Sequence, residues 1–184
     1  MTTPSPTGTY NWVDPRLIPD NRDMLIVLVD DRRGFLGWLI KAHESGNYNH
    51  VMFKRKLETF VSQANVFKEV SIEEYMKEGI FLKFWKITAT PDEINIINLA
   101  IDKKLAQPWY KKMYDLPGLF GQAFPFLHWI QIPGLYFCSE VVSAFLRLCV
   151  RFSWITKEPS PSDLDRLFKQ HPNDIRVIGY YWQD

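Results

Sequence analysis

Two residues in this chain have the types and settings for covalent chemistry: Cys138, in LYFCSEVVSAFLRL (135–148), and His50, in SGNYNHVMF (45–53). Cys138 stands at the threshold of a predicted helix. Behind it Val141, Val142, Phe145 and Cys149 share one face at helical spacing, and Pro133-Gly134 breaks the chain shortly before it. A helix N-terminus leaves backbone N–H groups without intrahelical acceptors and is the positive end of the helix dipole. Both favour thiolate over thiol. On position alone, a buried and inert thiol is the commoner outcome, so both readings stay open.

A nucleophilic cysteine needs a base within hydrogen-bond reach, a group that orients the base, and donors for a developing oxyanion. Four histidines compete for the first role. His43 falls on the apolar face of a predicted helix and reads as a core residue. His128 sits in an aromatic stretch, and His171 in the polar turn KQHPND. His50 differs because it opens a strand directly after a turn, where the pleat aims its ring to one side while Val51 packs the other. The backbone N–H of Cys138 is the expected oxyanion donor, and Glu140 suits the first helical turn structurally.

The elements that must position these residues can be read along the chain. DMLIVLVDD (23–31) is a continuous apolar run of strand length, and RGFLGWLIKAHESG after it has helical periodicity ending at Gly46. NYNHVMFKR and ETFVSQAN read as strands, the latter alternating through Phe60, Ser62 and Ala64; IFLKFWKIT and DIRVIGYYWQ are two more. Ser71 with Glu74, Thr90 with Pro91 and Glu93, and Ser160 with Pro161 and Asp163 mark three helix starts. Cys149 is expected on the same helix as Cys138. Short neighbouring strands and scattered helices predict an α+β fold.

Composition narrows the function classes. The 184 residues are 46% apolar and 23% charged with a net charge of +1, so one soluble domain is expected and a nucleic-acid binder is not. The short basic runs read as solvated faces. Residues 1–20 form a flexible lead-in before a domain over 21–184. With no basic start followed by an apolar block there, no secretory signal is expected, which points to a cytoplasmic or virion-associated setting. The two cysteines, on one helix, would be about 16 Å apart, beyond disulfide reach. Two cysteines alone make no paired-cysteine metal motif, so no metal is expected. The segment 116–137 has 22 residues without formal charge, but three prolines and three glycines oppose a transmembrane helix. It reads as a buried or cleft-lining loop, or as one that touches lipid or an acyl chain peripherally.

The order DMLIVLV, helix, YNHVMF, FVSQAN, IFLKFWKIT, YFCSEVV and PSPSDL resembles the circularly permuted papain-like group. This is the NlpC-related branch that includes YiiX-like proteins and lecithin:retinol acyltransferase-like enzymes. The likeness spans roughly residues 20 to 180, and its most specific parts are the HV strand start followed by CSE at a helix start. It implies a helix bearing the cysteine packed on a small antiparallel sheet bearing the histidine. It also implies a thiol hydrolase or acyltransferase acting on a peptide or lipid-like amide or ester, without a cofactor. Cys138 would be the nucleophile and His50 the base. The place of the third polar residue, usually Glu just before Ala, falls to Gln63. An amide can orient an imidazole but cannot stabilise an imidazolium by charge. Tyr136 matches an aromatic position that either approaches the oxyanion or packs, and Phe126, His128 and Trp129 would line the substrate cleft. The Gln63 departure supports an alternative: a relative with weak or no turnover that serves as a binding, structural or phage accessory protein. Oligomeric state is not indicated.

Overall fold

The apolar run Met24–Val29 opens the strand β1 (Met24–Asp31), and these six residues are apolar without alternation because both faces of the strand are covered. The computed structural model describes residues 11–18, 24–31, 46–55, 59–63, 66–113 and 137–182. After β1 come β2 (His50–Lys54), β3 (Thr59–Gln63), β4 (Phe67–Ser71) and β5 (Ile80–Ile87), then the helices α1 (Pro91–Leu105), α2 (Cys138–Leu146) and α3 (Pro161–Gln170), and finally β6 (Ile175–Trp182). The strands form one six-stranded sheet in the order β4-β3-β2-β1-β5-β6, every neighbouring pair antiparallel. The fold is α+β.

Period-two alternation divides the sheet into two buried faces. Met24, Ile26, Leu28, Val51 and Phe53 pack with the inner sides of the helices, among them Ile97, Val142 and Leu164. Leu25, Val27, Val29, Met52, Phe60 and Leu82 form the other face with Ile18 and Ile72, and Tyr75 and Met76 lie against it. α2 is fixed to the sheet by Phe145, whose ring lies 6.0 Å from Phe53 and 5.8 Å from Phe67, the second contact edge-on. α3 is tied to β5 by a buried ion pair, Lys83 Nζ to Asp165 Oδ1 at 2.6 Å. Burial pushes the Lys83 ammonium pKa down, and the Asp165 carboxylate opposes that shift.

Local signals set the helix ends. Thr90 Oγ1 accepts the Glu93 N–H at 3.2 Å while Glu93 Oε2 accepts the Thr90 N–H at 2.8 Å, a complete capping box. Ser160 and Asp163 repeat it at α3. The third such signal gives only the 3₁₀ turn Ile72–Glu74, not a helix, because the chain turns at Gly79, with φ of 77°, into β5. The strand β4 has no counterpart among the sequence-predicted strands, since Lys68 and Glu69 are exposed and interrupt its apolar pattern. α2 stops at Leu146, so Cys149 lies beyond it, capping the 3₁₀ turn Val150–Phe152. His171, expected in an open polar turn, stacks on Trp154 with ring centroids 3.8 Å apart. The helix predicted after β1, residues 1–10, and most of the uncharged 116–137 stretch lie outside the described residues.

Residues 11–13 run beside β6, with Val13 N–H donating to the Tyr180 carbonyl and Tyr180 N–H to the Asn11 carbonyl, both at 2.9 Å. Gly179 permits this approach: a Cβ there would come within 2.5 Å of a Val13 methyl and 3.0 Å of the Asn11 carbonyl oxygen. Gly179→Ala should therefore destabilise the fold by about 1–3 kcal/mol in denaturant unfolding. Adding Val13→Ala should recover part of the loss; a loss unchanged by the second substitution would contradict this packing.

Candidate functional site

The start of β2 is held firmly. Asn49 N–H donates to the Val29 carbonyl at 3.0 Å, and the Asn49 side chain bonds both backbone groups of Asp31, accepting its N–H at 3.0 Å and donating to its carbonyl. Just before it, Tyr48 N–H donates to Ser162 Oγ of α3 at 3.1 Å. These bonds fix the pairing of His50 with Val29 and so the direction of the imidazole. The ring is half-buried on the face it shares with Met52.

Two side chains meet it there. Met52 pairs with Ser62, so alternation puts Ser62 on the same face, and Ser62 Oγ lies 2.5 Å from His50 Nε2. Tyr75, at the end of the 3₁₀ turn after β4, stacks its ring on the imidazole at 5.9 Å and 12°, with its hydroxyl 3.5 Å from the same nitrogen. Ser62 also hydrogen-bonds the Tyr75 hydroxyl. Both polar contacts of the imidazole use Nε2. Cys138 packs in the core on the helix side of the sheet, whereas His50 shares the opposite face with Met52.

Burial dominates the electrostatics. Desolvation pushes the His50 imidazole down to about 4, against a smaller opposing pull from the Asp31 carboxylate. The ring is therefore neutral at pH 7. Burial likewise pushes the Tyr75 phenol up; the Ser62 hydrogen bond opposes this, and Glu74, Cys138 and Asp31 add to it. Cys138 is thus near enough to Tyr75 to act on it electrostatically, and it is buried at the first residue of α2. Glu140 accepts the Phe137 N–H at 2.8 Å and so secures this helix start. Cys149 has a different setting: its thiol lies 3.8 Å from the Glu93 carbonyl, and burial first, then Glu93, pushes it up.

Gln63 does not orient the histidine. It sits on the face opposite Ser62, its Nε2 donates to the Lys112 carbonyl at 2.8 Å, and its buried Oε1 has no hydrogen-bond partner. A one-residue step along a strand reverses side-chain direction, which is why the neighbouring hydroxyl reaches the ring and the amide does not. The alternation of β3 separates Ser62 from Gln63, but only pairing with β2 decides which of the two meets the ring. Tyr75 carries no local signal, because only tertiary packing returns it to β2. Tyr136, Phe126, His128 and Trp129 lie outside the described residues. Among the described residues, no cluster of three or more His, Cys, Asp or Glu could hold a metal, and no helix is long and apolar enough to cross a membrane. No family model and no curated protein matches the chain.

The lowered His50 pKa has a signed consequence. The unfolded chain takes up the proton near 6.5 and the folded chain only near 4, so the folded state binds fewer protons between those values. This residue's pH-dependent term is constant above about pH 6.5, and stability falls as pH drops towards 4, by up to about 3 kcal/mol. Denaturant unfolding from pH 7 to 4 should show that slope in the native protein and a shallower one in His50→Gln. Equal slopes would contradict a buried neutral imidazole.

Proposed function

We propose that this chain is a thiol hydrolase or acyltransferase with a permuted papain-like fold, acting on amide or ester bonds through an acyl-cysteine on Cys138. The observation that carries the reading is the use of His50 Nε2 by Ser62. With the Nε2 proton donated to Ser62 Oγ, the lone pair resides on Nδ1, and that nitrogen is the base. In this reading Nδ1 takes the proton from Cys138 Sγ as the sulfur attacks the carbonyl carbon. That requires the thiol, buried in the helix-side core, to meet around the start of β2 a ring that leaves the sheet on the other face. The Cys138 backbone N–H, in the first turn of α2, donates to the oxyanion. Nδ1 then passes the proton to the leaving amine or alcohol. Water or a second acceptor then attacks the acyl carbon and loses its proton to Nδ1; the C–S bond breaks, and Nδ1 returns that proton to Cys138 Sγ, restoring the thiol and the neutral ring.

The resting state in this reading is neutral thiol and neutral imidazole. A hydroxyl on Nε2 orients the ring but adds no charge to stabilise the imidazolium, so turnover is slower than with a carboxylate in that place. The same observation favours a second reading, a binding or structural protein that has retained the site without efficient turnover.

Iodoacetamide labelling followed by peptide mass spectrometry tests the assignment. Cys138 should react more than about tenfold faster than Cys149 at pH 7, because in this reading His50 takes its proton as the sulfur attacks. Burial instead pushes the Cys149 thiol up, and among the described residues no base adjoins it. His50→Ala should slow Cys138 by about tenfold or more, Ser62→Ala less, and Gln63→Ala little. Equal labelling of the two thiols, or a Cys138 rate indifferent to His50, would contradict the nucleophile assignment. An acetyl adduct on Cys138 after exposure to p-nitrophenyl acetate supports the enzyme; a selectively reactive Cys138 without that adduct supports the binding protein.

A further inference from the structure

The stretch KKLAQPWYKK (103–112) contains four lysines and no acidic residue, and it folds so that its members divide between inward and outward roles. Lys104 Nζ turns in over the Phe67 ring, 5.9 Å from its centre. Lys112 Nζ folds back to donate to the Leu105 carbonyl at 2.9 Å, while the Lys112 carbonyl accepts the Phe67 N–H at 2.7 Å. Met113 bridges Val66 beside the edge strand β4. The 3₁₀ turn Trp109–Lys111 is thereby pinned to both the C-terminal end of α1 and the sheet edge.

That pinned turn holds apolar rings in water. Trp109 is 66% exposed and Tyr110 55%, packed edge to face at 6.2 Å, and Leu99 on α1 is 60% exposed. Lys103, one helical turn beyond Leu99, and Lys111 are also exposed. The neighbouring acid, Asp102, is engaged by Arg55.

We propose that Trp109, Tyr110 and Leu99, with Lys103 and Lys111, form a peripheral docking surface for an anionic lipid bilayer. Trp and Tyr rings suit the headgroup level, where an apolar body and a polar tip are both satisfied. The exposed lysines match the negative surface potential of such a membrane. A protein partner fits less well, since lysine is depleted at protein interfaces. Single-stranded nucleic acid fits less well too: the two rings stand at 85° and present no shared stacking platform, and Leu99 has no role there. This proposal is independent of the thiol chemistry.

Cosedimentation of the full chain with phosphatidylcholine vesicles, with and without about 30% phosphatidylserine, tests it. Binding should require phosphatidylserine and weaken with added salt. Lys103→Gln and Lys111→Gln should each lower the partition coefficient by about fivefold. Trp109→Ala with Tyr110→Ala should lower it by at least about tenfold. All four positions of the ring and lysine pairs are exposed, a circular-dichroism melt matching the native protein accompanies each variant, and Leu99→Ser supplies a second apolar test. No binding to the anionic vesicles, binding indifferent to the aromatic pair and Leu99, or retention of a single-stranded oligonucleotide in place of vesicles would overturn the proposal.

Discussion

Because side chains alternate strictly along a strand, the pairing of Met52 with Ser62 decides which polar group reaches His50. A slip of one residue would bring the Gln63 amide to the ring and turn Val61, part of the helix-facing core, to the other side. The register is secured from both faces at once. Val51, Phe53 and Val61 are committed to the helices, while Met52 and Phe60 are committed to the opposite core. Hydrophobic burial on either side therefore selects the hydroxyl that meets the imidazole.

The same double burial sets the charge state of the site. A ring at the end of a strand whose neighbours are covered on both faces loses solvation, and the Asp31 carboxylate compensates only in part. Ser62 and Tyr75 supply hydrogen-bonding groups that satisfy a neutral imidazole, not an imidazolium. This shapes the proposed chemistry: proton transfer from the thiol must accompany attack, instead of preceding it in a resting ion pair. The start of α2 holds a buried cysteine in its first turn, secured by the Glu140 cap.

Sequence pattern revealed the elements whose causes are local. The apolar run of β1 and the capping boxes at Thr90 and Ser160 need only neighbouring residues to explain them. The Ser71 signal was genuine as a cap, since Ser71 Oγ accepts the Glu73 N–H at 3.3 Å, but nothing local revealed that the helix would end after one turn. β4 was hidden by its exposed Lys68 and Glu69. In the site, His50 at a strand start and Cys138 at a helix start were readable from position. The orienting residue was not, because residue type favoured Gln63 while direction, fixed by a partner strand, favoured Ser62. Tyr75 required the fold itself.

The central claim is a neutral His50 protonated on Nε2 towards Ser62, with Nδ1 as the base. Long-range ¹H–¹⁵N correlation NMR of the imidazole across a pH titration measures this directly, since the two tautomers give distinct nitrogen shifts. The account predicts an Nε2-protonated ring at pH 7 that takes up its second proton only near pH 4. A ring protonated on Nδ1 at pH 7, or one that titrates at or above 6.5, would contradict it.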